Sequence, residues 1–406
     1  MSKTPHDGIE THESRDDGFF ARYHLPTSAK ARCWAFAKTQ HRPSVDEDSR
    51  LCEASSQGFC SYTLCLGRET IIQFRPPDHR LDLGIAARAR DTYGDLVPSV
   101  HFLGDLEVEV EADLAGKLPP SSTAGDIPPR SNNTTILAVY AMSRMAGISL
   151  ADLRPSYLTH PTPASNTSNP TPSHLNEQLI KDFAHLTALG LTSALPSSSP
   201  SLSALKGRVG SSLRWRLEEM QTHLPPQFRP ASQLALDALP DIEALPWVLT
   251  HGDIVPSNIL VDRQRGGRIC GLLDWEEAEY LPFGVGLYGL EELLGQTITT
   301  TTLITHNNSS STPYPPPNSH FTYPPTSEPL RALFWAELEK ALPGSLQRET
   351  VELAHLLGIL LWHGIAFDNG RLDRVVCEGR DDAELQRLGV MIDAIRFSRG
   401  RHSLPW

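Results

Sequence analysis

The sequence predicts an α+β fold in two lobes, a small antiparallel sheet followed by a larger, mainly helical part. Three observations carry that expectation. The chain has 406 residues, enough for two separate cores. Between residues 50 and 75, short apolar runs alternate with short connectors, one of them of hairpin length. From Leu175 onward, apolar residues recur at the helical period.

The elements follow in order. Arg50–Ala54, Tyr62–Leu66 and Thr70–Arg75 read as strands, and Gly67-Arg68-Glu69 has the length of a hairpin connector. A helix is expected over Asp78–Thr92, with Leu81, Ile85 and Ala89 on one face. Apolar stretches at Val97–Leu103 and Thr135–Met142 add strands to the sheet. Leu175, Leu179, Phe183 and Leu186 mark one later helix, and Leu213, Leu217 and Met220 another. Gly286–Leu294 and Val351–Phe367 read as further helical segments. The expected organisation is a disordered stretch over residues 1–17, an N-lobe over 18–140 and a C-lobe over 141–406. Tracts rich in Ser, Thr, Pro or Asn (Pro119–Asn133, Thr159–Ser173, Ser197–Ser203 and Thr297–Ser327) read as flexible surface insertions.

Composition narrows the partners. With 36 basic against 48 acidic residues the net charge is −12, which argues against nucleic acid, whose phosphates need a basic face. Six cysteines show no C-x-x-C spacing and read as reduced thiols of a cytoplasmic protein. The first residues are polar and charged, without the apolar core of a signal peptide. No apolar run reaches the ~18 residues of a membrane span, so no membrane partner is expected.

The chemistry concentrates in one stretch. Val248-Leu249 precedes His251-Gly252-Asp253-Ile254-Val255-Pro256-Ser257-Asn258, and the apolar run Ile259-Leu260-Val261 follows. After a turn over Asp262–Gly267, Ile269–Leu273 leads into Asp274-Trp275-Glu276. Asn258 and Asp274 offer hard oxygen atoms that suit Mg²⁺. Asp253 is the candidate catalytic base, a carboxylate that orients an acceptor hydroxyl and takes its proton. His251 is expected to brace the loop by hydrogen bonds, and Trp275 to pack beneath it.

This arrangement resembles the catalytic loop and metal-binding aspartate of the protein-kinase-like fold. Its His-Gly-Asp form resembles the small-molecule branch, the aminoglycoside phosphotransferase and choline kinase relatives. Gly207-Arg208-Val209-Gly210-Ser211-Ser212-Leu213, with Arg216-Leu217-Glu218, is similar to the helix before the catalytic loop in fungal-type members. Pro282-Phe283-Gly284 with Leu287-Tyr288-Gly289-Leu290-Glu291 is similar to the helix after the metal aspartate. The resemblance spans Leu51–Phe367 outside the insertions. It implies a bilobal kinase fold with the active site in a cleft between lobes, ATP as donor, Mg²⁺ as cofactor and a small-molecule hydroxyl as acceptor.

The N-lobe departs from the family pattern. The place of the phosphate-gripping lysine reads Ile71-Ile72-Gln73-Phe74-Arg75, so Arg75 is either the substitute phosphate ligand or a strand-end cation. Asp82 is the candidate carboxylate partner, or a solvated residue at a helix start. The phosphate loop, Gln57-Gly58-Phe59-Cys60-Ser61, holds one glycine. Gly58 is expected to permit the turn, and Phe59, Cys60 and Ser61 to offer backbone N–H groups to phosphate. In the family the segment around Ala141, Met142 and Ser143 gives backbone hydrogen bonds to adenine. Glu276, Glu277, Glu279, Glu291 and Glu292 suit an amino-bearing acceptor or are solvated charges. Trp362 and His363 line the acceptor site or pack in the core.

Two other functions compete. A nucleotide-binding pseudokinase or regulatory module accounts for the thin N-lobe, but leaves the intact Asp253, Asn258 and Asp274 unexplained. A protein kinase wants H-R-D, D-F-G and A-P-E, which the sequence lacks.

Overall fold

Two units make up the computed structural model, which describes residues 17–40, 51–54, 57–110, 134–159, 172–299, 319–368 and 371–399. The first draws on Met1–Ala86 and Pro98–Arg144, the second on Ala87–Val97 and Met145–Trp406. Residues 1–16 of the expected disordered start and the insertion at Pro119–Asn133 lie outside the described residues, as does nearly all of Thr159–Ser173; Asp17 is instead the first residue of a helix.

The first unit is a five-stranded antiparallel sheet with two helices. Helices α1 (Asp17–Arg22) and α2 (Thr27–Thr39) precede strands β1 (Leu51–Glu53), β2 (Tyr62–Leu66) and β3 (Thr70–Arg75). Helix α3 (Leu83–Tyr93) begins in this unit and ends in the other; β4 (Val100–Glu109) and β5 (Thr134–Ser143) complete the sheet. Its order is β1-β2-β3-β5-β4. Ala29, Cys33 and Ala37 recur every four residues along α2 and are fully buried. They form one core with Phe19, Phe20, Tyr62, Leu64, Ile72, Phe74, Leu137 and Val139. Small residues on that stripe let the helix lie close to the sheet, where each buried Leu or Phe contributes ~1.5–3 kcal/mol. Because side chains alternate along a strand, Ile71, Gln73 and Arg75 leave β3 on the face opposite Ile72 and Phe74.

Strands Tyr62–Leu66 and Thr70–Arg75 run as expected. The helix expected from Asp78 is corrected. Pro77–His79 is a 3-10 turn after Pro76, and the α-helix starts only at Leu83. Proline restrains the chain before it, and Asp82 supplies the cap: its Oδ1 accepts the N–H groups of Gly84 and Ile85 at 2.8 and 3.0 Å.

The second unit is mainly helical. It opens with β6 (Ile148–Ser149), α4 (Leu150–Thr159), α5 (Pro172–Gly190), α6 (Leu202–Leu205), α7 (Leu213–His223), α8 (Arg229–Asp237) and α9 (Leu239–Ala244). Strands β7 (Trp247–Thr250), β8 (Ile259–Asp262), β9 (Arg268–Leu272) and β10 (Glu279–Pro282) then surround the sequence motif, and α10 (Tyr288–Leu294) follows. The remainder is β11 (Gln296–Thr299), β12 (Ser319–Thr322), α11 (Ser327–Ala341), α12 (Arg348–His363), β13 (Ile365–Asp368), β14 (Arg371–Val375) and α13 (Asp382–Arg399). The expected α+β fold, a small antiparallel-sheet lobe and a larger mainly helical one, is therefore observed.

Three segments differ from expectation. Ser197–Ser203 is a hydrogen-bonded turn leading into α6, with Leu202 buried. The two ends of the tract expected at Thr297–Ser327 pair as β11 and β12, with Thr297 opposite Phe321; residues 300–318 lie outside the described ones. The helix expected to reach Phe367 stops at His363, and the apolar run continues as β13 paired with β14. A buried strand and a buried helix share the same apolar signal, so periodicity does not separate them there. Among the described residues, no helix is long and apolar enough to cross a membrane.

Candidate active site

The motif occupies the space between two small sheets of the second unit. In one, β7 pairs with β10, placing Thr250 opposite Glu279. In the other, β6, β8 and β9 run antiparallel, with Ile259 opposite Leu272. The loop from His251 to Asn258 leaves β7 and enters β8, and Asp274 follows the end of β9. Sequence positions more than fifteen residues apart thus meet at one end of these strands.

Hydrogen bonds fix the loop. Asn258 donates from Nδ2 to the Asp253 carboxylate at 2.7 Å and to the Asp253 carbonyl at 3.0 Å. The amide oxygen of Asn258 is thereby left to accept from, or coordinate, something else. Leu273, one residue before Asp274, is held at both backbone groups: its N–H donates to the Asn258 carbonyl at 2.8 Å, and its carbonyl meets His251 Nε2 at 2.8 Å. The Asp253 N–H donates to His251 Nδ1 at 3.2 Å, so the imidazole carries its proton on Nε2. Burial lowers the His251 pKa to about 4, against the pull of the Leu273 carbonyl. The imidazole is a neutral brace.

Aromatic packing lies around this brace. The Trp275 ring sits 4.5 Å from His251 and 5.3 Å from Tyr93, and its Nε1 donates to the Leu272 carbonyl at 3.0 Å. Tyr93 donates to the Leu249 carbonyl at 3.1 Å.

Backbone conformation explains two motif residues. Gly252 has φ +82°, and a Cβ there would come 2.1 Å from the Glu277 carbonyl oxygen. Both the left-handed conformation and the contact demand glycine. Asp274 has φ +61°, a region that Asp tolerates better than most residues, and it turns the chain off β9.

The site concentrates negative charge. The Asp253 pKa is raised to about 7 by burial and then by the Asp274 charge, with smaller contributions from Glu277 and Glu292; the Asn258 hydrogen bond opposes the rise. Asp274 itself is exposed.

Tyr288 was not singled out by the sequence as a site residue. Its hydroxyl accepts the Ile254 N–H at 2.8 Å, and its ring stacks on Trp362 at 4.5 Å and 11°. The adjacent Gly289 allows this approach, since a Cβ there would lie 2.4 Å from Ile254 Cγ2. The Tyr-Gly pair is visible in the sequence, but no spacing rule links it to a loop 34 residues earlier.

Other expected site residues fall elsewhere. Glu279 is buried and accepts the N–H groups of Val209 and Gly210 at 3.0 and 2.6 Å. Glu291 is buried against Arg331, with oxygen–nitrogen distances of 3.1 and 2.6 Å. Glu292 pairs with Arg387 at 2.9 Å and lies 3.2 Å from His363 Nε2, while His363 Nδ1 meets Glu384 at 2.9 Å. Glu279, Glu291, Glu292 and His363 are therefore committed to buried hydrogen bonds and ion pairs. Glu276 is half-buried and Glu277 exposed.

In the first unit, Arg75 is buried. Its Nε donates to Gln73 Oε1 at 3.1 Å and its Nη1 reaches the His79 carbonyl at 3.5 Å. It is thus not a surface cation, while Asp82 serves as the cap of α3. The Gln57–Ser61 segment is organised by side chains. Gln57 Oε1 accepts the Thr63 N–H at 2.7 Å, and Arg22 donates to the Phe59 carbonyl at 2.7 Å. Cys60 is half-buried and Ser61 buried. Gly58 is exposed, its φ lies outside the left-handed region, and a Cβ there would lie 3.0 Å from Ser61 Oγ. Ala141, Met142 and Ser143 lie at the end of β5, where all three pair with β3 and Ala141 and Met142 also pair with β4.

Residues 105–287 match the model of a phosphotransferase enzyme family, APH. The match covers a little under half of the 406 residues and includes His251, Asp253, Asn258 and Asp274. The chain thus carries a phosphotransferase-family segment, in keeping with a kinase-like α+β fold. No curated protein matches the chain. Among solved structures, it is similar to the GDP complex of wild-type aminoglycoside 2'-phosphotransferase-IIIa, at 11% identity, covering 92% of this chain and 99% of that one with a TM-score of 0.44. It is also similar to a thermostable mutant of aminoglycoside phosphotransferase APH(4)-Ia in ternary complex with AMP-PNP and hygromycin B, at 15% identity, covering 90% and 98% with a TM-score of 0.45.

Proposed function

We propose that the protein transfers the γ-phosphoryl group of ATP to a hydroxyl of a small molecule, with Asp253 as the base. The observation that carries this reading is the Asn258 amide held on Asp253 while the same residue's carbonyl anchors Leu273, beside Asp274. Asp253 and Asn258 share one hydrogen-bonded unit, and the anchored Leu273 sets Asp274 next to it, as positioning catalysis requires.

Asp253 orients the acceptor hydroxyl and takes its proton. The acceptor oxygen forms a bond to phosphorus as the bond between the γ-phosphorus and the bridging oxygen breaks, and ADP leaves with that oxygen's electron pair. Asn258 keeps the carboxylate aimed, and His251 and Tyr288 keep the loop in place from either side. Asn258 and Asp274 fit Mg²⁺: one amide oxygen is left over, one carboxylate is exposed, and the surrounding acidity favours a cation. Bound magnesium supplies charge neutralisation for the nucleotide phosphates. Arg75 is the first unit's candidate phosphate ligand, and the Gly207–Ser212 segment supports a place in the fungal-type branch. The cytoplasmic location in this reading rests on six cysteines without C-x-x-C spacing.

The test is a metabolite panel incubated with protein, ATP and Mg²⁺ and read by mass spectrometry. A phosphoryl gain of ~80 daltons on one hydroxyl-bearing compound is expected. Nucleotide binding without transfer across the panel, and without ATP turnover, contradicts the reading.

A further inference from the structure

Arg216, on α7, is only 3% exposed. Among the described residues, its hydrogen bonds end on two neutral oxygens: Nε donates to Ser212 Oγ at 2.9 Å and Nη1 to the Leu372 carbonyl at 2.7 Å. A guanidinium taken out of water without a carboxylate in contact is costly. Burial and the charge of Arg208 push its pKa down, and Glu279 and Asp373 oppose that from beyond hydrogen-bond reach. Neither acid cancels the charge. Glu279 is committed to the Val209 and Gly210 amides and makes no hydrogen bond to Arg216; Asp373 is exposed to solvent.

The two arginines border a cavity of about 300 Å³, together with Ser212, Trp215, Leu372 and Asp373. That volume is at the small end for ligand sites. The Trp215 ring is 44% exposed, which is unusual for so large an apolar surface, and the Arg216 guanidinium lies 5.9 Å from its centroid. A buried positive charge, a second arginine and an open indole thus face one space.

We propose that this cavity binds a small organic anion, its carboxylate or phosphate group on Arg216 and Arg208 and its ring against Trp215. The anion supplies the contact charge that the fold withholds from Arg216, and the indole covers the apolar part. The proposal does not depend on the transfer reaction.

The test is isothermal titration of the whole protein without nucleotide, using phenyl phosphate, benzoate and inorganic phosphate. Saturable binding of phenyl phosphate or benzoate is expected, and the tighter of the two identifies the anionic group. Arg208→Gln and Trp215→Ala, both at exposed positions, should each weaken it by about tenfold, close to 1.4 kcal/mol. Asp253→Asn should leave it unchanged. No binding of any probe, unchanged binding in Arg208→Gln, or loss in Asp253→Asn overturns the proposal. Equal affinity for inorganic phosphate overturns the role of Trp215.

Discussion

His251 donates from Nε2 to the Leu273 carbonyl at 2.8 Å, and so joins the 251–258 loop to the segment that leads from β9 to Asp274. The imidazole does this only while neutral at Nδ1, where it accepts the Asp253 N–H. Its folded pKa of about 4 lies below the ordinary 6.5. The unfolded chain therefore takes up a proton first as pH falls. The stability from this residue is complete above pH 6.5 and declines toward pH 4, by about 3 kcal/mol in full. Chemical denaturation across that window should show a shallower acid arm in His251→Gln than in the wild type. Identical arms would mean that the imidazole is protonated in the fold.

Gly252 tests the backbone argument. Gly252→Ala brings a Cβ within 2.1 Å of the Glu277 carbonyl oxygen at a φ of +82°. A loss of about 2 kcal/mol or more is expected, since backbone, not a flexible side-chain end, must move. Thermal unfolding reads it directly. An unchanged melting temperature would show that the loop tolerates another conformation.

How much of this was legible in the sequence depended on the kind of signal. The strands Tyr62–Leu66 and Thr70–Arg75 were clear because β-forming runs are punctuated by a three-residue connector. Helix α2 was not, because its buried stripe is Ala29, Cys33 and Ala37, small residues that carry little apolar contrast. Asp253, Asn258 and Asp274 stood out by type and spacing. Tyr288 and Leu273 did not, because one acts through a distant hydroxyl contact and the other through its backbone alone. Glu279 and Glu291 misled because a buried, paired glutamate and a solvated one read alike.

The Glu291–Arg331 pair should be costly to halve. Glu291 is fully buried, and Arg331 holds it through two hydrogen bonds with Tyr323 adding a third. Arg331→Met leaves a buried carboxylate uncompensated and should destabilise the protein by ~3–5 kcal/mol, whereas adding Glu291→Gln should restore part of that. Despite burial, the Arg331 charge keeps the Glu291 pKa below its usual value. This contribution is therefore present at neutral pH, above the ordinary carboxylate pKa, and is lost as pH falls through the folded value. Urea unfolding of both variants checks it; equal stability of the single variant and the wild type would contradict it.

Asn258 should matter for chemistry more than for folding. It is half-buried, and its side chain spends both N–H donors on Asp253. Asn258→Ala should lower turnover by ~100-fold or more with little change in melting temperature, and Asn258→Asp should also lower it by setting a second carboxylate against Asp253. Steady-state rates on the acceptor found in the panel decide this. Turnover within a few-fold of wild type in both would remove Asn258 from the site.

The most direct measurement is single-turnover phosphoryl transfer by Asp253→Asn, alongside nucleotide affinity from titration calorimetry. The substitution keeps the size of the side chain and removes its charge and its capacity to take a proton. Transfer should fall by ~10²–10⁴-fold while nucleotide affinity stays within a few-fold of the wild type. Transfer at the wild-type rate would contradict the assignment of Asp253 as the base.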